Sequence, residues 1–365
     1  MPIAAMQAKM DDPAATNATS PPPIAYDVPI LPISDRAAYL ARVHYGVMAP
    51  LLALTLVTFS ARLYVRTWPV WRVGWDDALV ALGFLFSVAT FALLCFEMFP
   101  SPRLITFAQA TQAIMLAYIA IPVWVIAMTC IKISVALTLL KRFHPLTYTT
   151  RWWRPLMLFL IAVQLAYFAA NMVYNFSKCR PLVAAWDMST PDAACYTSRT
   201  DFIFSLTGSV INITTDVALS VSPLVAVLWR LRRPLPERIL VCCLTLVGLL
   251  ASGASIAKAV VVAQWTPELP PEELDSWAMA VSIATWTVAE QLIAVFGACS
   301  PALKGPIERG LARFGIELSP KMAPPDIGYI VDPTTVGRRS LQDGNGTGDG
   351  KTMYETEEMT SKASS

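Results

Sequence analysis

The chain alternates between long apolar blocks and short polar connectors. Apolar residues gather at roughly 43–65, 77–99, 113–140, 153–175, 202–229, 239–264 and 277–300. Each block reaches the roughly 20 residues that a helix needs to cross about 30 Å of hydrocarbon. Backbone groups in lipid must be satisfied within their own segment, so each block predicts a helix. The pattern therefore predicts an all-α fold, a seven-transmembrane helix bundle over 43–306. Residues 1–42, rich in Pro and Ala, predict a flexible extracellular tail. Residues 307–365 predict a cytosolic tail. Its start, "GPIERGLARFGIEL", has basic and apolar residues at helical spacing and suits a short helix on the inner leaflet. The rest, rich in Gly, Ser, Thr and Glu, predicts disorder.

Composition supports this division. Of 365 residues, 55 % are hydrophobic and 15 % charged, whereas soluble domains carry about a quarter charged residues. The net charge of +2 gives no reason to expect a nucleic-acid partner. The distribution of that charge says more. Taking block ends alternately, one side collects Arg62, Arg66, Arg72, Lys141, Arg142, Arg151, Arg154, Arg230, Arg232, Arg233, Arg238, Lys304, Arg309 and Arg313. The other side has only Arg36, Arg42, Arg103, Lys178, Arg180 and Arg199, and its loop "TPELPPEELDS" is acidic. The positive-inside bias places the N-terminus outside and the C-terminus in the cytosol. No apolar signal-peptide core precedes the first block, which is expected to serve as its own signal. A multi-pass protein of the plasma membrane is expected.

On the outer side, Asn17-Ala18-Thr19 forms a glycosylation acceptor pattern. Asn175, Asn212 and Asn345 match it too, but at a helix end, inside a helix and in the cytosolic tail. Of seven cysteines, only Cys179 and Cys195 lie in an aqueous loop, and that loop faces the oxidising side. A disulfide between them would contribute ~3 kcal/mol in the chain-entropy model. Cys95, near the outer end of the second helix, is the rival partner.

Packing devices are visible inside the blocks. Gly248, Ser252 and Ser255 fall near one face of the sixth, and small residues let helices approach closely. Pro122 and Pro223 interrupt the third and fifth and are expected to kink them. Trp68, Trp71, Trp75, Trp152, Trp153 and Trp229 lie at the inner boundary and suit interfacial anchors.

The intramembrane charges carry the candidate chemistry. An Asp at a helix centre costs ~2.5–3.5 kcal/mol on insertion scales, so such residues face the bundle interior and find partners. At 1.5 Å per residue, Asp216 and Glu290 each lie about 21 Å above the inner basic clusters. Lys132 lies about 13–14 Å above them, but its helix runs inward, so its side chain tilts back toward the outside. The expectation is a buried polar cluster of Lys132, Asn212, Asp216 and Glu290, acting as a ligand site or switch, or fixing helix register. Lys258 and Glu97 lie near the outer boundary and are expected to snorkel. Asp76 and Asp77 open the second helix, where acids favour the dipole and cap the N-terminus; Arg72 is a candidate partner.

Other chemistry lacks its residues. The seventh block contains no lysine for a retinal Schiff base. No metal-binding spacing, nucleophile elbow, phosphate loop or CxxC pair occurs. His44 and His144 are the only histidines, both placed at helix ends. No cofactor, no metal and no enzyme activity is expected.

Five stretches in order, "ARLYVRTWPVWRVGWDDALV", "KISVALTLLKRF", "CRPLVAAWD" with a later Cys, "INITTDVALSVSPLVAVLWRLRRP" and "WTVAEQLIAVFGACSPALKGP", carry a resemblance. Together they resemble the fungal rhodopsin-domain family of integral membrane proteins, the satratoxin-cluster type, related to Pth-type receptor-like proteins. The resemblance covers about 43–306. It implies seven helices and roles for Asp76, Asp77, Lys132, Cys179, Pro181, Trp186, Cys195, Asn212, Asp216, Pro223, Glu290, Cys299 and Pro301. It does not imply retinal. The chain departs from the family pattern in "FPSPRLITF", where a glycine-rich loop is usual, in "LLKRF", and in Lys258, where Arg is usual.

The expectation is a receptor-like protein in the lipid bilayer that senses a small molecule, with a heterotrimeric G protein as a candidate partner. Neither "LLKRF" nor "ACSPALKGP" carries an ordinary receptor-coupling motif. A transporter or proton-coupled carrier, or an accessory membrane protein of secondary metabolism, is the alternative.

Overall fold

The computed structural model describes residues 29–32, 34–68, 73–97, 104–143, 150–187, 189–228, 235–264 and 275–302, all within one compact unit, Met1–Ser319. Asn17 and the whole of the tail over 307–365 lie outside the described residues, as do Arg72 and His144.

Among the described residues the unit has seven α-helices: α1 (Asp35–Thr67), α2 (Trp75–Glu97), α3 (Phe107–Phe143), α4 (Thr150–Ser177), α5 (Ser198–Leu228), α6 (Leu235–Gln264) and α7 (Ser276–Cys299). Each is long and apolar enough to cross a membrane. Their outer faces are apolar, with Leu85, Phe159, Val173 and Leu250 all more than 60 % exposed, as suits a surface solvated by lipid.

Among the described residues, two short antiparallel strand pairs lie at one end, here called the disulfide end. Strand β1 (Pro29–Pro32) pairs with β2 (Leu104–Thr106), a pairing unforeseen for residues read as tail and loop. Strand β3 (Cys179–Arg180) pairs with β4 (Ala194–Cys195), and Cys179 and Cys195 form a disulfide. Cys95 is a free thiol. The opposite end is called the Asp76 end.

Helix α1 starts at Asp35, eight residues before the first apolar block. Capping explains the difference: Ser34 accepts from the Ala37 amide at 3.0 Å, which satisfies one of the helix's orphan donors. The start of α7 is built alike, with Asp275 accepting from Ala278 at 3.1 Å. The two caps also touch, Ser34 Oγ donating to Asp275. Further along, His44 Nδ1 and Thr285 Oγ1 lie 2.9 Å apart. Both contacts join residues 241 apart in sequence, so α1 and α7 run parallel and in register. His44 is accordingly fully buried within α1 rather than at its end.

Small residues set the closest approaches. A Cβ on Gly248 would sit 2.1 Å from Ser220 Oγ, so α6 meets α5 through the face expected from the sequence. A Cβ on Gly83 would sit 2.7 Å from Ile131, so α2 also approaches α3 closely there. Trp153 corrects the anchor reading. It is buried against Ala136, Met157, Leu160 and Leu219, because α3 and α5 cover that face of α4. Trp68 and Trp75, by contrast, are 68 % and 83 % exposed.

Candidate functional site: a buried charge network beneath a cavity

Asn212, Thr215 and Asp216 share one face of α5, since residues three and four apart stack on a helix. Lys132 of α3 reaches that face. Its Nζ lies 2.6 Å from Asn212 Oδ1, 2.9 Å from Thr215 Oγ1, 3.1 Å from the Asn212 carbonyl and 3.0 Å from Asp216 Oδ1. Four oxygens thus surround an ammonium with three protons. Asp216 also accepts from Ser255 Oγ of α6 at 3.3 Å. The Asn212 amide uses its other end to donate to Glu290 of α7. The structure thus brings Lys132, Asn212, Asp216 and Glu290 into one continuous group, each no more than 8 % exposed.

Lys258 completes it. Rather than snorkelling to the boundary, its side chain is buried and its Nζ donates to Glu290 Oε2 at 2.5 Å. It also sits 4.0 Å from the centroid of the Trp124 ring, a cation–π distance. Helix direction explains the correction. Side chains tilt toward their helix N-terminus. On antiparallel α6 and α7 the Lys258 and Glu290 side chains therefore lean toward each other, toward the membrane midplane. The same rule that places Lys132 in the cluster was the available signal for Lys258. Two cations and two carboxylates then balance on four helices, which is how charges persist in an apolar interior. The side chain of Glu97 lies outside the described residues.

Asp76 and Asp77 belong to a second, separate knot at the other end. Arg62 of α1 forks onto Asp77 Oδ1 through Nε and Nη2 at 2.9 and 2.6 Å, with Asp76 Oδ2 at 3.5 Å. Its remaining Nη1 donates to the Ala298 carbonyl at 2.5 Å, satisfying an orphan acceptor at the end of α7. Arg66 flanks both acids at 3.4–3.6 Å, and Lys141 of α3 pairs with Asp76. Asp77 Oδ2 also accepts from the Gly74 amide at 3.1 Å. These acids do sit at the helix start, but as buried ion-pair partners of α1 and α3. Arg62 was unremarkable in sequence, because its depth is evident only once α1 extends from Asp35 to Thr67.

Above the charge network lies a cavity of about 350 Å³, within the size range of small-molecule sites. Every helix except α1 contributes to it. Its depth is marked by Asn212, Lys258 and Trp124, its walls by Leu94, Tyr167 and Ala284, its upper part by Tyr174, Lys178 and Asp201. Lys178 and Asp201 pair at 2.7 Å, and Tyr174 donates to Asp201 while stacking on Phe204. Beside the network, Gln291 of α7 is fully buried with neither end of its amide bonded among the described residues. Among the described residues, no group of three or more His, Cys, Asp or Glu side chains is placed to hold a metal ion.

Seven apolar helices closed around paired charges define a multi-pass integral membrane protein. Residues 61–309, more than half of the chain, match the fungal rhodopsin domain, and the chain belongs to that family. No curated protein and no solved structure matches it.

Proposed function

We propose that this protein is a receptor-like member of the family that senses a small molecule in the cavity, without retinal. The observation that carries the reading is the contact between cavity and network: Asn212 and Lys258 belong to both. A ligand seated there touches the residues that hold α3, α5, α6 and α7 together. Displacing Lys258 from Glu290, or Asn212 from Lys132, alters how those helices are tied, and a two-state packing biased by ligand is what a switch requires.

The lining also argues the ligand's chemistry. Both cationic groups in it have carboxylate partners, Lys178 with Asp201 and Lys258 with Glu290. A charged ligand would find no uncompensated counter-charge among the described residues. An uncharged, mostly apolar molecule with an oxygen acceptor for the Lys258 N–H groups that Glu290 leaves unbonded among the described residues fits best. In this reading the Asp76 end, rich in Arg and Lys, faces the cytosol of the plasma membrane, and a heterotrimeric G protein receives the signal there.

The test is nucleotide exchange on the host's Gα subunits in membranes carrying this protein, challenged with uncharged host metabolites. Stimulated exchange is expected, and it disappears in a Ser209→Phe variant that fills the cavity but melts normally. Absence of stimulation by any of them, in membranes shown to hold folded protein, overturns the receptor reading. Buried Asp, Glu and Lys on several helices also suit a proton-coupled carrier. Proton-linked uptake of the same metabolites into vesicles would favour that second reading.

A further inference from the structure

The five free cysteines of the described residues divide sharply. Cys95 and Cys130 are half-buried, Cys299 is fully buried, and only the adjacent pair Cys242 and Cys243 is exposed. These two open the apolar span of α6, which begins at Val241. Upstream the chain reads "WRLRRPLPERIL", with Arg238 the last charge before the span. At 1.5 Å per residue the thiols' Cα atoms stand about 6–8 Å beyond Arg238 along the helix. Side chains of α6 tilt toward its N-terminus, which returns the thiols toward the membrane boundary. The pair therefore sits at interfacial depth beside a basic segment, facing lipid.

The face above them is equally informative. Leu246, Leu249 and Leu250 are 60 %, 41 % and 65 % exposed. They continue the same outward side at helical spacing from Cys242 and Cys243. A long hydrocarbon attached at either sulfur lies along this apolar stripe inside the bilayer.

We propose that Cys242 and Cys243 are sites of S-acylation by a long-chain fatty acid. The thiolate attacks the carbonyl carbon of a fatty acyl-coenzyme A thioester, delivered through a membrane acyltransferase. A new carbon–sulfur bond forms, the old one breaks, and coenzyme A leaves as the thiol with the proton. No oxidant or reductant is involved. The proposal rests on the orientation given above, with the Asp76 end in the cytosol where acyl-coenzyme A is present. A chain anchored at the foot of α6 fixes the depth of the helix that carries Ser255 and Lys258.

The test uses the full-length protein in a fungal host fed an alkyne-tagged long-chain fatty acid. Label that is released by neutral hydroxylamine is expected on the wild type. It is expected to fall by about half in Cys242→Ser or Cys243→Ser alone and to vanish in the double variant. A Cys95→Ser/Cys130→Ser control keeps it. Melting of each variant in detergent confirms that loss of label is not loss of fold. Label that survives in the double variant, or none on the wild type, overturns the proposal. A membrane-impermeant maleimide distinguishes the cause: reaction of these thiols from the outer side shows that the orientation is wrong, whereas protection from that side with no label shows that the thiols are not acylated.

Discussion

Asn212 and Lys132 meet across α5 and α3 at 2.6 Å, and the same Asn212 amide donates onward to Glu290. One neutral side chain thus joins two ion pairs, Lys132 with Asp216 and Lys258 with Glu290. An amide suits this place because it accepts at one end and donates at the other.

Replacing that amide tests the relay. Asn212→Leu takes the amide donor from Glu290 and leaves Lys132 three of its four oxygens, so the loss is that of one buried hydrogen bond to a charged group, about 1–3 kcal/mol. Asn212→Asp removes the donor and brings a third carboxylate beside Glu290. We expect Asn212→Asp to melt lower than Asn212→Leu in detergent, because like charges oppose each other in a buried site. The reverse order would show that an acceptor kept toward Lys132 outweighs the repulsion from Glu290.

Breaking one member of an ion pair costs more than removing both. Lys132→Leu and Asp216→Leu each strand a buried charge and are expected to lose about 3–5 kcal/mol. The double substitution recovers a large part of that. Folded yield and melting temperature of the three variants check it. A double variant no better than either single would separate the two residues energetically.

Lys258 and Glu290 allow a sharper version. Lys258→Met lowers folded yield and is expected to abolish any ligand response. The exchange Lys258→Glu with Glu290→Lys restores yield, since α6 and α7 keep opposite charges facing each other. Restored yield without restored response would assign the lysine side of the pair to the ligand, because only the wild-type order presents an ammonium at the cavity.

Arg62 is held by shape as well as charge. Arg62→Lys keeps the positive charge but cannot fork onto Asp77 and also reach the Ala298 carbonyl. We expect a loss of about 2 kcal/mol, the range for hydrogen bonds to charged groups. Thermal melting of the purified protein measures it, with Lys141→Met as the milder comparison, since Lys141 is 58 % exposed and Asp76 keeps Arg62 and Arg66 when it is removed.

The disulfide closes a loop of 16 residues' separation. Cys179→Ser with Cys195→Ser is expected to cost about 3 kcal/mol in the chain-entropy view. Reducing agent should lower the melting temperature of the wild type by the same amount and leave the double variant unchanged.

The apolar blocks by themselves determined seven helices, because no other form satisfies the backbone in lipid over such lengths. The loop cysteines were legible as candidates because only two lay outside the apolar blocks. Depth arithmetic along single helices likewise pointed to Lys132, Asn212, Asp216 and Glu290, since insertion cost forces such residues inward. Beyond that, the arrangement depended on which helices are neighbours and how they face. Lys258 turned inward because α6 lies antiparallel to α7 with Glu290 opposite. Arg62 became the partner of Asp76 and Asp77 because α1 packs against both α2 and the end of α7. Trp153 was buried because α3 and α5 close over it, and the cavity arose from six helices that no linear pattern assembles. Periodicity and depth are properties of one segment and can be read along it; pairing, burial and enclosed space are properties of several segments at once, and only their packing decides them.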